Sequence, residues 1–476
     1  MSSRKKQSIL RTNLRLCTYE GLSAMPIVFL CLPGNFIVAM LLSRVFGLSD
    51  TTFGLIVSLP FWANVLQLVA IPLLMRHWSQ KKINVRFAWL HIACWGVLAV
   101  ALPHIPIDNP EVSGRVFFWI FLVASLTFSI VSVSWTSWVQ EWTPARLRGK
   151  YFGRRNRLLQ IATVLFVIAA GETLYVLADT NPIEAFQILI AFGILCRSYS
   201  IVAQGNILST SATPPHEAKA DWNAQFKLLR EADGFKRLVL FGALFGFAAN
   251  IFGPFFNVFM FRDLGMPVSH VSWLVVLATS AGAVSLPAWG NMLDRFGNKP
   301  VMVFTVVAWM VPGYLWLFIE PGRTWMLYPM WAWGGFVSAG FLLGSFNLLL
   351  KLVPPGAKTI SISIHVAATA LATAVAPVIG GSILDLFRAL GADRMDVMHG
   401  VAVFHHTVVI ATALALHRVT EPQATRLRQV VGAMLSYRQI GALLGVSFLG
   451  QYTFLRRRPV DPKSASKSRR TLGNGH

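Results

Sequence analysis

The chain has 476 residues, 55% of them hydrophobic and only 13% charged, with a mean hydropathy of +0.57. A soluble chain carries about twice that charged share, and apolar stretches of about 20 residues, the length of a bilayer crossing, recur along this one. These figures exclude a soluble enzyme, a disordered chain and a secreted disulfide scaffold. The net charge of +22 lies mostly in short blocks between apolar stretches, where it orients a membrane protein and meets anionic lipid rather than nucleic acid.

A basic head (Arg4, Lys5, Lys6, Arg11, Arg15) leads into an apolar run too long for a signal-peptide core and lacking a clear cleavage site. From there hydropathy predicts twelve transmembrane helices, at 16–43, 51–75, 86–104, 115–140, 156–178, 184–206, 237–261, 269–290, 300–319, 325–350, 359–386 and 398–417. Such runs far exceed barrel strands and lack their alternation. Cys17, Cys31, Cys94 and Cys196 have no short pairing and read as small hydrophobes, with no disulfide framework, metal or cofactor.

The N-terminal segment, the connections after even-numbered spans and the C-terminal tail hold about 36 of the 42 basic residues. Both termini are therefore expected in the cytoplasm, in a plasma (bacterial inner) membrane. The organisation reads as a cytoplasmic segment 1–15, a six-helix bundle 16–206, a polar cytoplasmic connection 207–236, and a second six-helix bundle 237–418. An amphipathic interfacial segment follows at 419–458, with apolar 439–455 lying on the cytoplasmic leaflet or forming a thirteenth span, and then a disordered basic tail 459–476.

The six-and-six division predicts matched landmarks in the two halves. Gly290, Asp294, Arg295, Gly297 and Lys299 follow span eight, and Pro72, Arg76, Ser79 and Lys81 stand at the same spacing after span two. Pro144 and Arg148 follow span four as Pro354 and Lys358 follow span ten. The set from Gly290 to Lys299 resembles the loop signature of the major facilitator superfamily, and the segment from Trp142 through Pro144, Arg148 and Gly149 is similar to its loop between spans four and five. The resemblance covers about residues 14–418 and implies an all-α polytopic membrane protein of twelve transmembrane helices, arranged as two pseudo-symmetric six-helix bundles that rock around a midplane cavity. The first-half copy departs from the signature at Pro72, Arg76 and Ser79. Ala376, Pro377, Gly380 and Gly381 resemble the superfamily's Pro-Gly element, in span eleven rather than five, and read as a bend and close packing site.

Tight basic turns require Gly297 and Gly149. Arg76 with Glu141, and Asp294 with Lys351, are opposite charges at corresponding helix ends, expected either to tie each half or to face lipid headgroups. Candidates for proton coupling are Glu20, Glu172 and His365, since ionisable groups within the bilayer point to function. Arg197 is expected to snorkel. The substrate candidates are Asn35, Asn64, Gln67, Ser129, Ser132, Trp135, Asn250, Asn257, Trp331, Asn347, Ser361, His365 and Thr369, on spans that the resemblance places around the cavity; Ser125 shares the serine stripe, and Trp333 is a further candidate wall. Each hydroxyl stripe has a packing alternative. His91, His405 and His406 read as structural.

Phosphate-loop, nucleophile-elbow and zinc-helix motifs are missing from the sequence. The expected function is secondary active transport of a small organic solute by alternating access, proton-coupled, as a monomer in the lipid bilayer. Few buried cations argue for a neutral, sugar-like or amphiphilic solute. The alternatives are a non-transporting sensor or scaffold with a transporter fold, and a membrane-embedded lipid enzyme.

Overall fold

Side-chain caps mark where several helices begin. Ser49 accepts from Thr52 N (3.2 Å), Asn109 from Val112 N (3.2 Å) with Pro110 at the first helical position, and Asp393 from Met395 N (2.8 Å). The computed structural model describes residues 3–32, 34–177, 180–208, 222–422 and 424–434. The middle of the central connection, the apolar segment 439–455 and the basic tail lie outside the described residues. Every regular element among the described residues is helical.

In chain order these are α1 (Ser3–Leu30), α2 (Phe36–Val45), α3 (Asp50–Met75), α4 (Gln80–Ala101), α5 (Pro110–Trp142), α6 (Ala145–Leu177), α7 (Pro182–Gly205), α8 (Trp222–Glu231), α9 (Asp233–Ile251), α10 (Phe255–Arg262), α11 (Val268–Phe296), α12 (Asn298–Met310, continued as a 3-10 turn), α13 (Leu327–Leu352), α14 (Lys358–Ala389), α15 (Arg394–His417) and α16 (Leu427–Met434). Among the described residues eleven helical segments are long and apolar enough to cross a membrane, and α1 followed by the short apolar α2 stands where the twelve-helix fold has its first crossing. The protein is an integral membrane protein.

Spans one and seven are each broken. Between α1 and α2 the Asn35 amide donates to the carbonyls of Phe29 (3.3 Å), Leu30 (3.1 Å) and Leu32 (2.9 Å), and its oxygen accepts from Val38 N (3.0 Å). One side chain thus serves backbone groups that a helix end otherwise leaves unpaired inside lipid. Span seven breaks between α9 and α10. Beyond each short helix the chain turns alike: Phe46 N and Leu48 N donate to Leu41 O and Leu42 O, and Leu264 N and Met266 N donate to Phe259 O and Met260 O. Gly47 and Gly265 hold the same left-handed position (φ 57° and 61°).

The packing repeats in the same way. Within the first half α3 lies on α5, α1 on α6 and α7, and α4 on α5 and α7; within the second α11 lies on α13, α9 on α14 and α15, and α12 on α13 and α15. Between halves α3 runs along α14 and α6 along α11, as a twofold relation between the bundles requires. These crossings depend on small residues. Gly54 lies against Pro377 O, Gly381 against Asp50 O and Gly171 against Ser272, each without space for a Cβ. The close approach expected in span eleven is found there.

The end of the bundle carrying Asn13, Leu208, Gly297 and Glu421 is termed basal, and the opposite end distal. At the basal end Asn13 and Leu208 exchange two hydrogen bonds (2.7 and 3.1 Å). The largest buried apolar cluster joins the distal parts of both halves, from Ile27 through Leu48 to Ile251 through Val276.

Candidate functional site

The two helix breaks and the 3-10 turn after α12 leave space beside them. A cavity of about 500 Å³ is lined by Leu32, Asn35 and Phe36 at the first break, by Gly253, Phe256 and Asn257 at the second, and by α11, α12, α13 and α15. Its walls are mostly rings. Phe256 packs on Trp316 (4.9 Å between centroids), His405 (5.2 Å) and His406 (5.6 Å), and Trp316 on Trp331 (6.1 Å). His406 Nδ1 pairs with Ala402 O at 2.6 Å, and its ring lies on bare Gly313, where a Cβ would overlap it. Among the described residues, no charged residue lines the cavity. A second space of about 530 Å³ shares Ala278, Gly335 and Ser338 with it and lies basally along α11 and α13, past Gly282, Leu286, Leu342 and Phe346, with Gln160 opposite.

The distal end is closed over the cavity by polar contacts between halves. The Asp385 carboxylate accepts from Asp50 N (3.0 Å) and Thr51 N (2.8 Å), capping α3 from the other half. Asp50 is paired with Arg262 (3.0 Å) and Arg388, and Arg262 also donates to Leu48 O (2.8 Å). Asn257 donates to Gly34 O (2.7 Å). Among the described residues every hydrogen bond and ion pair between halves lies at this end. Asp263, in the adjoining turn, is raised above the ordinary aspartate range by burial, against the lowering pull of Arg388 and Arg262.

A third polar group lies within the first half, toward the basal end. Glu20 is 2% exposed. Its Oε1 accepts from Arg155 Nη2 (2.9 Å) and Trp135 Nε1 (3.0 Å), and its Oε2 from Gln204 Nε2 (2.9 Å) and Ser200 Oγ (3.5 Å). Arg155 Nε donates to Cys17 O (2.9 Å). Arg197, 5% exposed, donates to Ser200 Oγ (2.9 Å), and its Nε has no partner among the described residues.

Three of the expected substrate residues, Asn35, Asn257 and Trp331, line the cavity. The others are distributed elsewhere. Ser129 donates to Ala63 O (3.1 Å) and lies against Asn64 and Gln67, so these residues join α3 to α5; Ser132 is exposed. Trp135 belongs to the Glu20 cluster. Asn250 donates to Gly246 O in its own helix (2.9 Å), and Asn347 is half-buried outside the cavity lining. Ser361 donates to Ala357 O (2.6 Å), while His365 and Thr369 sit over bare Gly242 of α9, with His365 Nδ1 and Thr369 Oγ1 buried and unpartnered among the described residues. The α14 stripe is a helix-packing seam.

Several expectations are corrected. His405 and His406 line the cavity; only His91 stays internal to the first half, accepting from Trp95 Nε1 (3.1 Å) with Cys31 Sγ 3.3 Å away. Arg197 is buried rather than snorkelling, because Ser200 and the Glu20 cluster receive it. Buried cations are therefore present, though outside the cavity. Glu172 lies on the outer surface of α6, and Trp333 lies outside the cavity, 41% exposed, donating to Ala308 O.

No ion pair joins Arg76 to Glu141 or Asp294 to Lys351 among the described residues. Lys351 pairs with Glu421 (3.0 Å), whose buried carboxylate also accepts from Asn298 N (3.1 Å), Asn298 Nδ2 (2.8 Å) and Lys299 N (2.7 Å). Burial opposes ionisation of Glu421, but these four donors hold it below the ordinary glutamate value. Asp294 is exposed, Arg295 lies over the Phe296 ring (5.1 Å), and Arg148 caps the end of α5 by donating to Thr143 O (3.0 Å) and Gln140 O (2.6 Å). Gly297 makes the expected left-handed turn (φ 89°), Gly290 lies within α11, and Gly149 lies inside α6 rather than in a turn.

A family model described as Major Facilitator Superfamily matches residues 238–462. Two curated proteins named Multi-drug resistance efflux pump PmrA, from two strains of Streptococcus pneumoniae, are 28% identical over 156 residues, covering 32% of this chain and 38% of theirs. The chain thus aligns with well under two thirds of those relatives. Among solved structures, a bacterial homologue of the iron transporter ferroportin in its inward-facing state has a TM-score of 0.66 at 13% identity, covering 88% of this chain and 99% of that one. The nucleoside transporter NupG has a TM-score of 0.61 at 13% identity, covering 87% and 100%. These structural likenesses are of fold.

Proposed function

We propose that the chain is a member of the major facilitator superfamily, and that it is a secondary transporter carrying an uncharged, ring-bearing or amphiphilic organic solute by alternating access, coupled to protons. One observation carries the reading: the cavity of about 500 Å³ at the two helix breaks, walled by rings and, among the described residues, free of charged side chains. A charged solute there would be desolvated without a counter-ion, at a cost of several kcal/mol. A flat apolar solute instead gains contacts of about 0.5–1.5 kcal/mol per ring pair beyond its buried area. Asn257, Ser338 and the two histidines supply a few polar contacts, as small-molecule sites require. The multidrug efflux pumps that match part of the chain support an organic solute class.

We read the closed distal end and the adjoining basal space as the basally open state of the cycle. We place the basal end in the cytoplasm, where the basic excess puts both termini and where anionic lipid headgroups meet it. A monomer suffices, since both halves of the cavity come from one chain.

A thermal-shift screen of the purified protein against uncharged aromatic and charged organic compounds tests the solute class. Binding at about 100 times Kd adds about 2.7 kcal/mol to native stability. Stabilisation confined to uncharged ring compounds, and weakened in Trp331→Ala, is the expected result. Stabilisation only by charged compounds, indifferent to Trp331, would overturn the assignment.

A further inference from the structure

The cavity is walled by rings, yet several polar atoms among those rings are not used by the protein itself. We propose that Trp316, His405 and His406 form a hydroxyl-recognition subsite, and that the solute is a ring compound carrying an alcohol or phenol O–H. The inference deepens the solute reading above and rests on it.

Three observations carry it. First, the three side chains surround one ring. Phe256 lies 4.9 Å from Trp316, 5.2 Å from His405 and 5.6 Å from His406 between centroids, and the two imidazoles stand 5.1 Å apart and perpendicular. All three line the cavity and are deeply buried, at 2%, 6% and 7% exposed. Second, their polar atoms lack partners. His405 Nδ1 is buried with no hydrogen bond among the described residues. Cε1, the atom between the two nitrogens of that ring, is 3.8 Å from where a Cβ on Gly253 would stand. The nitrogen-bearing edge therefore adjoins bare backbone at the second helix break, itself part of the cavity wall. The indole N–H of Trp316 likewise meets no protein acceptor among the described residues. Trp95, Trp289 and Trp333, away from this cavity, give theirs to His91 Nε2, Phe336 O and Ala308 O. Third, His406 is fixed in one role. Its Nδ1 pairs with Ala402 O at 2.6 Å. A carbonyl only accepts, so Nδ1 carries the hydrogen and, in the neutral ring, Nε2 is left as an acceptor. The Cδ2–Nε2 edge lies over Gly313, where a Cβ would overlap it.

These atoms narrow the ligand chemistry. Buried polar groups are normally hydrogen-bonded, so unpaired ones inside a cavity call for a partner from outside the chain. The indole N–H only donates and His406 Nε2 only accepts, so the matching group must accept and donate at once. A hydroxyl does both, and its rotating hydrogen also suits His405 in either tautomer. An ether or carbonyl oxygen serves the indole alone. A phenolate or carboxylate lacks the hydrogen that His406 accepts, and it would enter a wall that offers no counter-charge among the described residues. Trp316 follows span nine and the histidines stand on span twelve, so spans expected to be peripheral choose the solute.

Thermal shifts of the full-length protein with 2-naphthol, 2-methoxynaphthalene and 2-methylnaphthalene, three probes of one ring system, separate the subsite from the cavity. Each probe is titrated at free concentrations corrected for micelle uptake, and Kd is read from the rise in melting temperature. Wild type is expected to bind 2-naphthol about tenfold or more tightly than either other probe, the ratio that one to two hydrogen bonds supply. His405→Phe should lose most of that preference while binding 2-methylnaphthalene as wild type does. His405→Gln, which keeps a donor and an acceptor, should restore part of it. Gly313→Ala, which displaces the His406 ring, should lower the preference about threefold or more. Equal binding of the three probes by wild type, or a naphthol preference unchanged in His405→Phe, overturns the subsite and leaves the solute reading standing. Binding of charged compounds with none of the three naphthalenes bound overturns the solute reading itself.

Discussion

Replacing Asp385 with Asn removes charge at one position of the distal closure. The carboxylate accepts two backbone N–H groups of the other half at 3.0 and 2.8 Å. Hydrogen bonds to a charged group contribute about 1.5–3 kcal/mol each, and an anion at a helix N-terminus about 0.3–1 kcal/mol more. The amide keeps one acceptor and turns its NH2 donor toward the second N–H, so the closed distal end loses about 2–4 kcal/mol. At tenfold per 1.4 kcal/mol, the distal-open population rises about thirtyfold or more relative to the closed one. Double electron–electron resonance between labels at Ile107 and Leu390 reads this directly, as a longer distance gaining population in Asp385→Asn. Ser382→Ala serves as control, since it loses only an exposed contact with Thr51 at 3.4 Å and one with Val378 O in its own helix at 3.0 Å, and should leave the distribution near wild type. An Asp385→Asn distribution that matches wild type would refute the assignment of this cluster as the distal closure.

Trp331→Ala should weaken solute binding about tenfold, the loss of one to two ring contacts, while Trp333→Ala, outside the cavity, leaves the thermal-shift response unchanged. Glu421 is held below its ordinary value, so the stability it lends is full above that value and is lost as pH falls through its lowered one. Melting temperature measured from pH 7 down to pH 3 should therefore fall more steeply in wild type than in Glu421→Gln, which starts lower and lacks this component. Gly297→Ala places a Cβ at φ 89° about 3.1 Å from Ala424; it should cost about 1 kcal/mol or more, read as a lower melting temperature. Asn35→Ala removes the amide from three carbonyls and should destabilise the protein by about 2–3 kcal/mol, measured by chemical unfolding in detergent.

The fold was legible because hydropathy and the repeat act over long stretches. Every predicted span has its helix, and the paired landmarks after spans two and eight fall where a twofold relation needs them. The helix breaks were not read, although Gly253 and Pro254 mark one in the sequence; a long apolar run hides a short irregular segment. For the site, residue type and span number said too little about direction. The stripe of Ser361, His365 and Thr369 has the right period for a face, but that face meets the glycines of α9. His405 and His406 stand on a span expected to be peripheral, yet the 3-10 turn after α12 and bare Gly313 let the cavity reach them. Glu20 was identifiable as an ionisable group in an apolar run. Its partners Arg155, Arg197 and Gln204 lie far along the chain, and only the folded structure brings them together.

Solute exchange in proteoliposomes tests the account most directly. Vesicles preloaded with an uncharged ring compound from the thermal-shift screen are diluted into the labelled compound, and labelled uptake is followed with no ion gradient. The account predicts transient accumulation above equilibrium, driven by the outward flow of unlabelled solute and greatly reduced in Trp331→Ala. Specific binding without exchange would instead mark the protein as a sensor, and recovery of a chemically altered compound would mark it as an enzyme; either result contradicts transport by alternating access.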